Sequence, residues 1–166
     1  MAGGLYGQAF GVDVAFGDPI LGEPEQVAGD DLLLFAGIGP SALRLYPVET
    51  HVAEKLHAYT LPRPIASTRV KDLPDLALLG QAGSREGGRL RQAMALTFAY
   101  RRTHPVPGRL PEPPDAWKPT YAAMAMEDEL PWRTLADVTS AARAFLDPVL
   151  AATERGPWDP AAWSWR

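Results

Sequence analysis

The sequence predicts an α+β protein, a small sheet followed by a C-terminal helical bundle. Three observations carry this. Short apolar runs broken by glycine, proline and aspartate fill the first 46 residues. Beyond them, apolar residues recur at helical spacing. Glycine (15) and proline (17) are frequent in a chain of 166 residues, so the elements should be short and often interrupted.

Three strands are expected in the first stretch. Val12-Asp13-Val14-Ala15-Phe16 is apolar around one acid and closes on Gly17-Asp18-Pro19, as a strand closes on a turn. Leu32-Leu33-Leu34-Phe35 is a short apolar run between Asp30-Asp31 and Gly37, and Leu43 to Tyr46 alternates until Pro47 stops it. A helix is then expected over Val48 to Tyr59, with Val52, Leu56 and Tyr59 on one face, ended by Pro62 and Pro64. Ile65 to Val70 reads as a polar loop. Asp72 should open a short helix, Leu73 to Leu79, with Pro74 in its first turn and Gly80 as its stop.

A longer helix is predicted from about Gly88 to Thr103. Leu90, Met94, Thr97 and Phe98 share a face, and Arg101-Arg102 lie near the negative end of the dipole. Prolines 105, 107, 111, 113, 114 and 119 make the next stretch an extended connector of polyproline character. Trp117 to Glu127 and Thr134 to Leu150 follow as helices, the latter with Leu135, Val138, Ala142, Phe145 and Val149 near one stripe. The end carries Trp158, Trp163 and Trp165.

Composition excludes several classes. With no cysteine, a disulfide framework, a thiolate metal site and cysteine catalysis are all out. A formal charge of −4 creates no global field for polyanions, although a local patch can still bind them. No apolar run reaches the roughly 18 residues that span a membrane. Met1 to Phe10 has no basic region before an apolar core, so a cytoplasmic location is expected.

Three groups of residues could carry chemistry. Asp13 stands alone in an apolar strand pattern, where a carboxylate on a sheet face suits a hard cation; the pattern by itself favours a solvated position on a one-sided sheet. Lys55 and His51 are four apart on one helical face, where a lysine can grip phosphate as a point charge or simply lie in water. Asp72 and Asp75 have the spacing of an N-cap and an N3 residue. Arg69 and Lys71 precede them, so two bases and two acids crowd a helix start, a place that also suits an anionic ligand. Other chemistries lack support. His51, His57 and His104 have no zinc-pair spacing, no Gly-x-Ser-x-Gly elbow is present, and Gly37-Ile38-Gly39 is too short for a phosphate loop.

Two stretches together resemble the AbiEii/AbiGii toxin family, the nucleotidyltransferase-like proteins of abortive-infection and toxin–antitoxin systems. The first runs from Tyr46-Pro47-Val48-Glu49 through Glu54-Lys55-Leu56-His57-Ala58. The second is Ser67-Thr68-Arg69-Val70-Lys71-Asp72-Leu73-Pro74-Asp75-Leu76. Val12 to Asp18 resembles the strand that supplies a late acid in that fold, and Trp117 to Tyr121 with Phe145-Leu146-Asp147-Pro148 resembles its C-terminal helices. Members of that family begin with a Gly-Gly/Ser turn and a paired Asp-x-Asp strand. This sequence has Gly3-Gly4 but no Asp-x-Asp, so on the resemblance it reads as the C-terminal part of such an enzyme, impaired in activity.

The resemblance implies a partial nucleotidyltransferase-like sheet over 1–46, a helical region over 47–155 and a tail over 156–166. It implies transfer of a nucleotide from a nucleoside triphosphate to an acceptor such as tRNA, with Mg2+ clamping the reacting oxygens. Asp13, Lys55 and Asp72 would match the catalytic positions, with Asp13 on the metal. His51, Arg69, Lys71 and Asp75 would lie about the nucleotide. Implied partners are an N-terminal fragment or a second copy, and an antitoxin that is a separate transcriptional regulator; no membrane is involved. The alternative is a non-catalytic interaction module or partner subunit derived from that family, since an uncovered sheet edge can pair with another chain.

Overall fold

The computed structural model describes residues 11, 17, 19–63 and 69–166. The expected strand at Val12–Phe16, and Asp13 with it, lies outside them. Among the described residues, helices dominate and the strands form two small antiparallel sheets. The first sheet pairs β1 (Glu25–Ala28) with β2 (Ala42–Leu45), in the register Glu25↔Leu45 to Ala28↔Ala42. The expected third strand matches β2, and its partner is Glu25–Ala28, a stretch without the apolar pattern of a strand.

The apolar run Leu32–Phe35 is not a strand. It enters a 3-10 turn, Leu34–Ala36, whose hydrogen bonds are all local: Leu34 N to Asp31 O at 2.8 Å and Ala36 N to Leu33 O at 2.9 Å. Gly37 closes it at φ 75°, a left-handed conformation that glycine adopts without penalty. Backbone satisfied within one turn has nothing left to offer a ladder.

Helices α1 (Val48–Thr60), α2 (Asp72–Gln81), α3 (Gly87–Arg101), α4 (Lys118–Glu127) and α5 (Leu135–Leu150) build the body. α1 packs on α2 and α3, while α5 packs on α2 and α3 from another side. Val52, Leu56, Leu73, Leu76, Leu90 and Val138 are fully buried between them. Thr134 caps α5, receiving Asp137 N at 3.1 Å while Asp137 Oδ2 receives Thr134 N at 3.2 Å. The proline-rich connector is held rather than loose. Tyr59 donates to the Pro111 carbonyl at 3.0 Å, and Leu110, itself fully buried, donates its N–H to Asp147 Oδ1 at 2.7 Å.

Gly80 does not stop α2, which runs on to Gln81. A Cβ at this position would lie 3.3 Å from the Phe145 ring and 3.3 Å from Trp163. Glycine here permits close approach of α2 and α5. Its carbonyl takes the indole N–H of Trp158 at 2.7 Å. Trp158 is fully buried and starts the second sheet, β3 (Trp158–Asp159) against β4 (Ser164–Trp165). The other two indoles also donate to helical carbonyls, Trp163 to Ala141 at 3.1 Å and Trp165 to Phe145 at 2.9 Å. The C-terminal hairpin therefore clasps α2 to α5.

A second polar system joins α1 to the end of α3. Its proton positions follow from which groups can only donate and which can only accept. Thr60 gives its hydroxyl proton to the Leu56 carbonyl at 2.8 Å, so it accepts from His104 Nε2 at 2.8 Å. His104 Nδ1 then accepts from the Thr103 hydroxyl at 2.9 Å, and Thr103 accepts from His57 Nε2 at 2.7 Å. His57 Nδ1 faces Arg101 Nη1, a pure donor, at 3.4 Å. Both histidines are neutral in this chain, and burial lowers His104 below the ordinary histidine value.

Two predictions follow from this packing. Trp158→Ala should cost about 3–5 kcal/mol in urea unfolding, because it leaves a cavity between α2 and α5. Trp165→Phe should cost only about 1 kcal/mol, the worth of one hydrogen bond. As for acid, the unfolded chain protonates its histidines near pH ~6.5, while native His104 resists to lower pH. Its contribution is therefore intact above ~6.5 and lost as pH falls. The urea midpoint should drop between about pH 7 and about pH 5, and less steeply in His104→Gln, which has no proton to take up.

Candidate functional site

The site forms where α1 passes the first turn of α2. Helical spacing sets Lys55 on the α1 face toward α2, and the ammonium reaches two carboxylates. Lys55 Nζ donates to Asp75 Oδ2 at 2.6 Å and to Asp72 Oδ1 at 3.4 Å. Arg69 Nη1 holds the other oxygen of Asp72, Oδ2, at 3.3 Å. Asp72 is buried, with a side chain 5% exposed, whereas Asp75 is 36% and Lys55 28% exposed. Asp72 is thus the inner anchor, and Lys55 with Asp75 forms the solvent-facing half.

The capping geometry expected of Asp72 and Asp75 is not what the chain adopts. Lys71, not Asp72, occupies the cap position, with helical angles of φ −66° and ψ −28° and no side-chain cap. Asp72 belongs to the helix, and its carboxylate turns to Lys55 and Arg69. Two cations compete for it more strongly than the first-turn amides do. Both acids still gain from the positive end of α2.

Burial alone would pull the Lys55 ammonium down. The hydrogen bond and charge of Asp75, followed by the charge and hydrogen bond of Asp72, outweigh it and hold the group above the ordinary lysine value. Lys55 is therefore a fixed positive charge at neutral pH and not a proton acceptor.

The remaining sequence candidates divide. Arg69 joins the cluster. Lys71 is exposed at the α2 cap and makes no ion pair among the described residues. His51 sits one turn before Lys55 on α1, edge-on to the Tyr46 ring at 6.3 Å. It lines a cavity of about 450 Å³ with Leu21, Glu23, Glu49 and Arg89. Asp13 lies outside the described residues. Glu54 was not singled out by the sequence, where it reads as an exposed neighbour of Lys55. In the fold it accepts from the Tyr46 hydroxyl at 2.8 Å and pairs with Arg101 Nη2 at 3.8 Å, bracing α1 against α3. Only the spacing of Tyr46 and Glu54, eight apart across the helix start, hinted at this.

A buried carboxylate, a fixed ammonium and further cations thus meet at one helix start, the kind of place that suits an anionic ligand. That chemistry meets an independent finding. The profile of the nucleotidyl transferase AbiEii toxin, type IV toxin–antitoxin system, matches residues 1–152. The chain belongs to this AbiEii toxin family, as the two quoted stretches led us to expect. No curated protein matches the chain significantly. A type IV toxin of this kind implies a nucleotide substrate and an antitoxin partner.

Nucleotidyl transfer generally uses a divalent metal, and we tested whether the described residues fit one. They do not fit on their own. No group of three or more histidine and acidic residues among them could hold a metal ion, and both oxygens of Asp72 and Oδ2 of Asp75 already face Lys55 or Arg69. No helix among the described residues is long and apolar enough to cross a membrane.

The asymmetry of the cluster gives a prediction. Asp72→Asn should cost about 1–3 kcal/mol in urea unfolding, because it strips charge from a buried acceptor shared by two cations. Asp75→Asn, exposed on one side, should cost below about 1 kcal/mol.

Proposed function

We propose that the chain is a nucleotidyltransferase-like toxin of an abortive-infection system that receives a nucleoside triphosphate at the Lys55 cluster. The observation that carries this is the Lys55 ammonium, held by Asp75 and Asp72 on adjoining helices in a member of the AbiEii family. Asp75 is the carboxylate that yields when a triphosphate docks, since it is the exposed one. Asp72 stays as the buried anchor. Arg69 and Lys71 extend the positive side of the site, with His51 one turn away on α1.

In this reading the acceptor is tRNA. Its hydroxyl oxygen bonds to the α-phosphorus, the bond from that phosphorus to the bridging oxygen breaks, pyrophosphate leaves, and the hydroxyl proton passes to solvent. Lys55, already protonated, stabilises triphosphate charge and does not take that proton. Asp13 is the carboxylate proposed for magnesium. The chain works in the cytoplasm, opposed by an antitoxin that is a separate transcriptional regulator. Because the sequence holds no Asp-x-Asp pair, we expect transfer by this chain alone to stay at background.

Equilibrium dialysis against labelled nucleoside triphosphates tests the site. The unaltered chain should bind, Lys55→Met should bind about tenfold more weakly or worse, and Asp75→Asn should bind no more weakly. Equal binding by Lys55→Met would end this reading. Incubation with magnesium, labelled triphosphates and total tRNA should leave the RNA unlabelled. Label that appears and is lost in Asp13→Ala would show instead a complete catalytic site in this chain.

A further inference from the structure

The β1–β2 hairpin stands apart from the buried body. None of its eight strand residues is buried, and all but Val27 are exposed. Two strands alone are marginal in water. The segment between them is more apolar than the strands. Phe35 is 88% and Leu32 75% exposed, with Leu33, Leu34 and Ile38 each more than half exposed and Leu43 and Leu45 close to half. Isolated surface leucines need no explanation, but so many large apolar side chains exposed between Leu32 and Leu45, four of them lining one groove, do.

The patch has shape as well as area. Leu32, Leu33, Ile38 and Leu43 line a groove of about 340 Å³, floored by Gly29 and Gly39. Phe35 stands on the adjoining 3-10 turn, the most exposed large apolar side chain among the described residues. One hairpin thus carries a knob and a hole that suits an aromatic ring. A two-fold axis needs that arrangement: what one copy inserts, the other receives, and the reverse.

Charge and area agree with a second copy as the occupant. From residue 25 to residue 45 the charged side chains are Glu25, Asp30, Asp31 and Arg44, so Arg44 of each copy has acids of the other to meet. Seven side chains exposing about half or more of their area offer on the order of 600 Å² of apolar surface per chain. Stable interfaces bury about 800 Å² a side, which polar surroundings of the patch would complete.

We propose that this face is a homodimer interface, in which Phe35 of each copy enters the Leu32–Leu33–Ile38–Leu43 groove of the other. This does not rest on the nucleotidyl-transfer reading. The full chain should run in light scattering as a species of twice the 18.0 kDa chain mass at micromolar concentration. Phe35→Asp should run as a monomer with an unchanged circular dichroism spectrum and melting curve, since that side chain is 88% exposed.

The absence of cysteine allows a direct second test. Phe35→Cys chains mixed with Leu43→Cys chains should form a mixed disulfide between copies under mild oxidation, reversed by reductant. Three results would each overturn the proposal. One is a monomeric full chain. Another is a dimer indifferent to Phe35→Asp with no mixed disulfide, which places the interface elsewhere. The third is a broad ladder of larger species, which marks open-ended association.

Discussion

Helix α2 is pinned at both ends, and much else follows from it. At its C-terminal end the Gly80 carbonyl receives the Trp158 indole at 2.7 Å, and a Cβ there would press on Phe145 and Trp163 at 3.3 Å. At its N-terminal end Asp72 and Asp75 receive Lys55. The first contact sets the distance from α2 to α5, and the second sets its turn toward α1. Between them the buried Leu73 and Leu76 can face one core. A site built on two helices held in this way is stiffer than one on loops, which suits a cluster whose work is to hold charge in place.

The polar systems divide the labour along α1. Lys55 faces α2, while Glu54 and His57 face the end of α3 through Arg101. The histidine–threonine chain is satisfied at every proton only while both imidazoles are neutral. The Lys55 cluster is satisfied only while the lysine is charged. One helix therefore carries a group that must stay neutral and a group that must stay ionised, two residues apart in sequence. The Arg101 donor facing its ring fixes the first, and paired carboxylates drive the second.

The body and the hairpin pose different physical problems. The helices bury their apolar stripes almost completely. The hairpin between Glu25 and Leu45 buries almost none, though it holds one of the most apolar stretches of the chain. Family membership implies a nucleotide substrate. Membership does not explain an uncovered apolar hairpin, which is a matter of what this surface meets.

Local patterning settled the helices. The spacing of Val52, Leu56 and Tyr59, and of Leu135, Val138, Ala142, Phe145 and Val149, marks buried faces that the fold confirms, because 3.6-residue periodicity is a property of the chain itself. The family was legible too, since the two quoted stretches carry it. The residue types at Lys55, Arg69, Asp72 and Asp75 drew attention to themselves, and tertiary structure decided what they do to one another. Asp72 as a cap and Asp72 as a buried ion-pair anchor have the same local sequence, and only the arrival of Lys55 from another helix separates them. Gly80 likewise reads as a stop until Phe145, Trp158 and Trp163 crowd it. Leu32 to Phe35 reads as a strand until the absence of a ladder partner leaves its backbone to close on itself. Sequence alone determines periodicity, breakers and residue chemistry, because these are local. Which carboxylate meets which cation, and which apolar run finds a core, depends on segments distant in the chain, and there the packing of α1, α2, α5 and the tryptophan hairpin decided.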